Sequence, residues 1–233
     1  MPQRGEEHAI REAHVVVRRT ARYALLGQAG PEVREVWIAL HGYRQLARRF
    51  LRPWSALASP TRLIVAPEAL SRFYLDGDGG PHGPDAAVGA TWMTREDRLT
   101  EIGDYVGYLD TLCHHVLRGL ERGRVRLRAL GFSQGAATVS RWAALGQVEV
   151  DELILWSAGF PPDMPWQEGL PRLRNIPLSI VVGEKDAWLT AERVAEQVRA
   201  LEARGLSPRL LRYAGGHAMT EAALLEVAGP LPG

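Results

Sequence analysis

Ser133 stands in the pentapeptide Gly131-Phe132-Ser133-Gln134-Gly135, a G-x-S-x-G pattern. A serine hydroxyl is a weak nucleophile on its own, so its chemistry depends on its setting. The stretch from Val125 to Leu130, apolar residues alternating with arginine, leads into the pentapeptide, and Ala136-Ala137 open an apolar segment after it. That context predicts a strand, a sharp turn and a helix. Side chains flanking the serine would strike the sheet or the helix in such a turn, and Gly131 and Gly135 remove them. The turn lifts Ser133 above the sheet and sets it at a helix N-terminus, where free N–H groups favour a developing negative charge. The chemistry this suits is attack on a carbonyl carbon.

Such a serine needs a base, and the base needs a group that fixes its tautomer. In chains with this elbow the order is serine, acid, histidine. Gly183-Glu184-Lys185-Asp186 follows the apolar run Leu178 to Val182, which makes Asp186 the expected acid. Glu184 competes but is expected to turn outward beside Lys185, and Asp163 is the next alternative, in a proline-rich loop. Gly215-Gly216-His217 follows the run Leu210 to Tyr213 and supplies the expected base, His217. His114 and His115 fall mid-helix, and His8, His14 and His82 fall in the tail, an early strand and a Gly-Pro loop. A tetrahedral oxyanion needs two N–H donors. Gln134, directly after the nucleophile, offers one, and Tyr43, in the His41-Gly42-Tyr43 loop after the run Val36 to Leu40, offers the other. The His41 imidazole is expected to buttress that loop.

These residues need a scaffold that brings distant points together. Apolar runs at Val15 to Val17, Tyr23 to Leu26, Val36 to Leu40, Leu63 to Ala66, Val125 to Leu130, Leu153 to Trp156, Leu178 to Val182 and Leu210 to Tyr213 predict strands. Helices are predicted at Leu46 to Leu57, Asp97 to Leu120, Ser133 to Leu145, Thr190 to Ala203 and His217 to Val227. The longest repeats Ile102, Tyr105, Val106, Leu109, Leu112, Val116 and Leu117 at three-four spacing, with Thr94 expected as its N-cap. Strands alternating with helices predict an α/β fold, a mainly parallel sheet with helices on both faces. Sites in such sheets form at the carboxyl ends of strands, which is where Ser133, Asp186, His217 and the 41–43 loop fall.

The chain has 233 residues, 46% apolar and 24% charged, a length that fits one α/β domain over residues 1–233. A net charge of +1 gives no field to recruit nucleic acid or an anionic membrane. Lys185 is the single lysine; the other basic residues are arginine, a bias that a GC-rich genome explains. Cys113 is the single cysteine, expected as a small core residue, so no internal disulfide can form. The N-terminus lacks the pattern of a signal peptide, and no stretch reaches the roughly 18 apolar residues of a membrane span. A soluble cytoplasmic monomer or homodimer is expected, with no stable membrane insertion.

The motifs H-G-Y at 41–43, A-P-E at 66–68, G-F-S-Q-G at 131–135, G-E-K-D at 183–186 and G-G-H at 215–217 together resemble the phospholipase/carboxylesterase family of α/β-hydrolases, which includes the acyl-protein thioesterases. The resemblance implies the α/β-hydrolase fold, a triad at Ser133, Asp186 and His217, and oxyanion donors at Tyr43 and Gln134. It departs from the family at H-G-Y-R-Q, where a smaller residue and a further glycine are usual, and in the central segment 71–98. Within it, residues 71–95 are expected to form a long loop or lid, with Trp92 first, then Phe73, Tyr74 and Met93, lining an acyl pocket, and Trp188 hanging over the same site.

No acidic cluster or histidine pair has metal-ligand spacing, so neither metal nor cofactor is expected. Asp76, Asp78 and Asp85 lie among glycines but lack a closing glutamate, so a solvated turn is expected there rather than a calcium loop. The reading is an esterase acting on short- to medium-chain carboxylic esters, with a thioesterase or lysophospholipase as the near alternative. A non-catalytic hydrolase-fold protein that binds a small molecule or partner is the alternative of another class.

Overall fold

The structure is a computed structural model, and it describes residues 10–75 and 82–230. Along the chain run β1 (Tyr23–Leu26), β2 (Glu35–Leu40), α1 (Ala47–Phe50) followed by a 3₁₀ stretch (Arg52–Leu57), and β3 (Arg62–Pro67). Next come β4 (Ser71–Tyr74), β5 (Val88–Thr91), α2 (Arg98–Leu117), β6 (Arg126–Phe132), α3 (Gln134–Leu145) and β7 (Glu152–Trp156). The chain closes with α4 (Trp166–Leu173), β8 (Leu178–Gly183), α5 (Ala191–Glu202), β9 (Arg209–Tyr213) and α6 (Glu221–Ala228). Seven strands form one sheet in the order β1-β3-β2-β6-β7-β8-β9, parallel except for β1, which pairs antiparallel with β3.

The continuous apolar strands explain the layering. A strand alternates its side chains between faces, so a parallel strand covered on both sides must be apolar throughout. In β2, Val36, Ile38 and Leu40 join the core on one face, with Tyr105 and Leu109 of α2 and Val139 and Trp142 of α3. Trp37 and Ala39 join the other, with Phe50, Trp54 and Leu224. Cys113 is buried in the first of these cores.

Several expectations are corrected. Val15 to Val17 form no strand: they are 83%, 100% and 74% exposed and pair with nothing. A β-branched run favours extended backbone but cannot supply a partner. The 71–95 segment holds a two-stranded antiparallel sheet, with β4 register-matched to β5 from Ser71↔Thr91 to Tyr74↔Val88. Thr94 is not the cap of α2. Asp97 occupies that position in a left-handed conformation (φ +45°), while Thr94 N–H donates to Glu101. His217 precedes α6, whose N-cap is Thr220. His8, Asp76 and Asp78 lie outside the described residues.

Charge is buried at the amino ends of the strands, away from the serine. Arg62 pairs with Glu35, and Arg128 bonds Glu35 at 3.1 Å and forms an ion pair with Glu152 at 2.8 Å. Arg128 also donates to the carbonyls of Val227 and Ala228, which ties the last turn of α6 to the sheet. Burial alone pushes the Glu35 carboxyl up, but donors on Trp37 and Arg62 and the charges of Arg62 and Arg128 hold it below its ordinary value of 4.5. A carboxyl depressed on folding contributes stability above its unfolded pKa, and that contribution is lost as pH falls through the folded value. Glu35→Gln leaves buried arginine charge uncompensated, at a cost of about 3 kcal/mol, or roughly 6–12 °C in Tm for a chain of this size. Thermal melts should show that deficit at neutral pH and show it shrinking below about pH 4.5. A deficit that does not change with pH would contradict the assignment.

Candidate active site

The elbow after β6 has the geometry that its glycines require. Ser133 sits at φ +53°, ψ −118°, a strained backbone that costs of order 1–3 kcal/mol and persists only where its surroundings hold it. Its N–H is held by the Trp156 carbonyl at 2.9 Å, and its own carbonyl accepts from Ala136 N–H at 2.9 Å. A Cβ on Gly131 would lie 2.1 Å from the Gly135 carbonyl oxygen, and one on Gly135 would lie 2.4 Å from that of Leu40. Both approaches are impossible for any residue but glycine.

Ser133, His217 and Asp186 form one hydrogen-bonded chain although 84 and 31 residues separate them in sequence. Ser133 Oγ lies 2.9 Å from His217 Nε2, and His217 Nδ1 lies 3.0 and 3.1 Å from the two Asp186 oxygens. An ionised carboxylate only accepts, so Nδ1 carries the proton and Nε2 is free to accept from the hydroxyl. Phe132 packs 5.2 Å from the His217 ring. The loop that carries the histidine is fastened by the Tyr213 hydroxyl, 2.8 Å from the Gly216 carbonyl and also bonded to that of Ala218.

The Asp186 side chain is fully buried. Burial would push its carboxyl up, but the Ser157 hydroxyl, the N–H groups of Trp188 and Leu189 and the His217 ring outweigh it and hold the pKa below its ordinary value. The group is therefore an anion at neutral pH. The two competitors are placed elsewhere: Glu184 is exposed, and Asp163 pairs with Arg141 at 2.6 Å and with Arg98.

Across the elbow, the loop from His41 to Gln45 is braced from three sides. His41 is fully buried; its Nδ1 lies 2.8 Å from the Gly42 carbonyl and its Nε2 accepts from Ala69 N–H at 3.1 Å. Burial lowers the His41 pKa, more than its bond to Gly42 and the charge of Glu68 raise it, which keeps the ring neutral with its proton on Nδ1. Gln45 Oε1 accepts from Gly42 N–H at 2.8 Å, and β5 docks on the loop through Arg44 N–H to the Ala90 carbonyl at 3.0 Å. A Cβ on Gly42 would lie 3.0 Å from the Phe132 ring, so this loop and the elbow are in contact. Neither Tyr43 N–H nor Gln134 N–H donates to any acceptor among the described residues. The Gln134 side chain is committed elsewhere: Nε2 donates to Thr91 Oγ1 and the Met93 carbonyl at 2.9 Å, and Oε1 accepts from Trp92 N–H.

The aromatic residues divide. Trp92 was expected first among the pocket walls, but it is 3% exposed, packs 5.2 Å from the His41 ring and donates its indole N–H to the His41 carbonyl at 2.8 Å. It braces the loop. Met93 is half-buried against the core, with its sulfur at Arg141. Phe73 stacks on the exposed Tyr43 ring at 5.4 Å, Tyr74 stacks on His82 at 3.8 Å, and Trp188, 70% exposed, stands edge-on 6.4 Å from His217. No group of three or more His, Cys, Asp or Glu residues gathers as a metal would need among the described residues.

A family model described as serine hydrolase (FSH1) matches residues 37–223, about four-fifths of the chain and all of the elements above from β2 to the start of α6. The chain belongs to the FSH1 family of serine hydrolases. A search of curated proteins gave no match to this hydrolase. Its fold is shared with solved structures. A carboxylesterase from Mesorhizobium loti superposes with a TM-score of 0.66 at 23% identity, over 90% of the hydrolase and 95% of that chain. Acyl-protein thioesterase 2 of Zea mays gives 0.65 at 20% identity, over 89% and 96%. A phospholipase/carboxylesterase from Dyadobacter fermentans gives 0.61 at 16%, over 91% and 97%. Each has the α/β-hydrolase fold, a mostly parallel sheet flanked by helices, that the hydrolase shares. No helix among its described residues is long and apolar enough to cross a membrane.

Proposed function

We propose that this hydrolase cleaves short- to medium-chain carboxylic esters through an acyl-enzyme on Ser133. The observation that carries the reading is the unbroken hydrogen-bonded chain from Ser133 through His217 to Asp186, together with two N–H groups, of Tyr43 and Gln134, that have no acceptor among the described residues. Ser133 Oγ attacks the ester carbonyl as His217 Nε2 takes its proton. The tetrahedral oxyanion forms between Tyr43 N–H and Gln134 N–H, each donor contributing about 2.7–4 kcal/mol to the transition state. The ionised Asp186 holds the imidazole in the accepting tautomer and stabilises the imidazolium. The same proton passes to the departing alcohol, and a water activated by His217 then releases the acid. Tyr43 with Phe73 on one side and Trp188 on the other offer apolar walls for the substrate.

A thioester substrate is the second reading, favoured by the shared fold with the maize thioesterase. Steady-state kinetics on p-nitrophenyl esters of graded length, beside thioesters of the same acyl groups, separates the two. We expect kcat/KM for butyrate through octanoate to exceed that for palmitate by at least about tenfold, because apolar pockets discriminate by a few methylenes at this level, with esters ahead of matched thioesters. A preference for palmitoyl thioesters reverses the assignment.

A further inference from the structure

Ser157 follows β7 directly and is 2% exposed. It holds φ +54°, a left-handed backbone that glycine takes freely and that side chains oppose. Its N–H continues the ladder to β8, donating to the Val181 carbonyl at 2.8 Å. Ser157 therefore stands beside the end of the strand that carries Asp186. The two Asp186 oxygens are unequally served. Oδ1 accepts from Trp188 N–H at 2.9 Å, Leu189 N–H at 3.1 Å and His217 at 3.1 Å. Oδ2 accepts only from His217, at 3.0 Å. The single His217 Nδ1 proton is shared between the two oxygens, and each oxygen has about two lone-pair sites, so Oδ2 has room for a further donor; the side chain is wholly buried, so bulk water does not reach it. The Ser157 hydroxyl is among the donors that hold the Asp186 carboxyl below its ordinary value. It makes no hydrogen bond among the described residues. A buried donor without a partner thus faces a buried acceptor that has room for one.

We propose that Ser157 is a positioning residue for the acid of the triad, its hydroxyl donating to Asp186 Oδ2 and so holding the carboxylate square to the His217 ring. The inference rests on the proposed serine mechanism. It explains why a serine occupies a backbone position that favours glycine: the strain is kept because the hydroxyl is needed. Hydrogen bonds of this kind are often long in the resting enzyme and tighten as charge develops, here as the imidazolium forms.

Two variants test it. Ser157→Gly keeps the backbone conformation and removes only the side chain, and Ser157→Ala removes only the hydroxyl. Both should lower kcat roughly tenfold, equivalent to about 1.4 kcal/mol and within the worth of a hydrogen bond to a charged acceptor, with KM within about twofold of wild type. The ¹³C-carboxyl titration of Asp186 by NMR should move upward in both, because a donor to the ionised form has gone. Should Ser157→Ala fail to fold, Ser157→Gly decides alone. An unmoved Asp186 titration in Ser157→Gly, or a kcat equal to wild type, overturns the proposal. The titration needs no turnover. A wild type inert toward every ester but with a shifted titration in the variants would end the esterase reading and leave the positioning contact standing.

Discussion

Ser133→Ala lowers kcat toward p-nitrophenyl butyrate by about 10⁶-fold while the protein still melts as a folded domain; loss of the serine in a comparable triad has that magnitude. The size follows from the geometry. The hydroxyl is the group 2.9 Å from His217 Nε2, so the variant can form no acyl-enzyme. The two acceptorless N–H groups at Tyr43 and Gln134 remain, and binding with oxyanion stabilisation alone sustains a residual roughly 10³–10⁴-fold over water. Stability should change little or rise, because alanine in place of serine leaves the strained backbone at φ +53° as it is and removes one partly buried hydroxyl. Steady-state kinetics beside a thermal melt checks both halves. Residual activity within a hundredfold of wild type would assign the nucleophile to another residue.

Asp186→Asn lowers kcat by about 10⁴-fold. The amide is nearly isosteric, and its oxygen can still accept from Trp188 and Leu189 N–H, as Oδ1 does now at 2.9 and 3.1 Å. Its NH₂ group must then face His217 Nδ1. A donor at that place selects the imidazole tautomer with its proton on Nε2, which can no longer accept from the Ser133 hydroxyl. The imidazolium also loses the buried anion that stabilises it. KM should stay close to wild type, because Asp186 touches no substrate, so the loss appears in kcat. Turnover near wild type in this variant would move the acid elsewhere, with Glu184 and Asp163 the residues to try next.

The strands that carry the site were readable because β2, β3, β7 and β8 lie inside the sheet, where burial on two sides writes a nearly continuous apolar run; β6, also inside, alternates with Arg126 and Arg128, and the edge strand β9 keeps Leu210, Leu211 and Tyr213. The residues of the proposed triad were readable for a related reason. Gly131 and Gly135 mark the close approach at the elbow, and Gly215 and Gly216 mark the turn before His217. Val15 to Val17 looked like a strand because local preference carries no information about a pairing partner. The β4–β5 hairpin was missed because Ser71–Tyr74 and Val88–Thr91 are four residues each, too short for alternation to show. Helix α4 was missed because Pro165, Gly169 and Pro171 break its pattern, although its packing on α3 outweighs their low propensity. Trp92 was assigned to the pocket because spacing places a residue near a site without saying which way its ring turns. Ser157 belongs to no motif. The rule that residues just after strands form the site in such sheets covers it, and its type, a serine beside the acid, was the available signal.

The central claim is that Ser133 is an activated nucleophile. A fluorophosphonate probe, which phosphonylates serines made nucleophilic by a neighbouring base, followed by peptide mass spectrometry, tests it without knowledge of the substrate. One adduct is expected, on the peptide containing Ser133, and none in Ser133→Ala. A folded wild type that takes no label, or an adduct on a different residue, would contradict it.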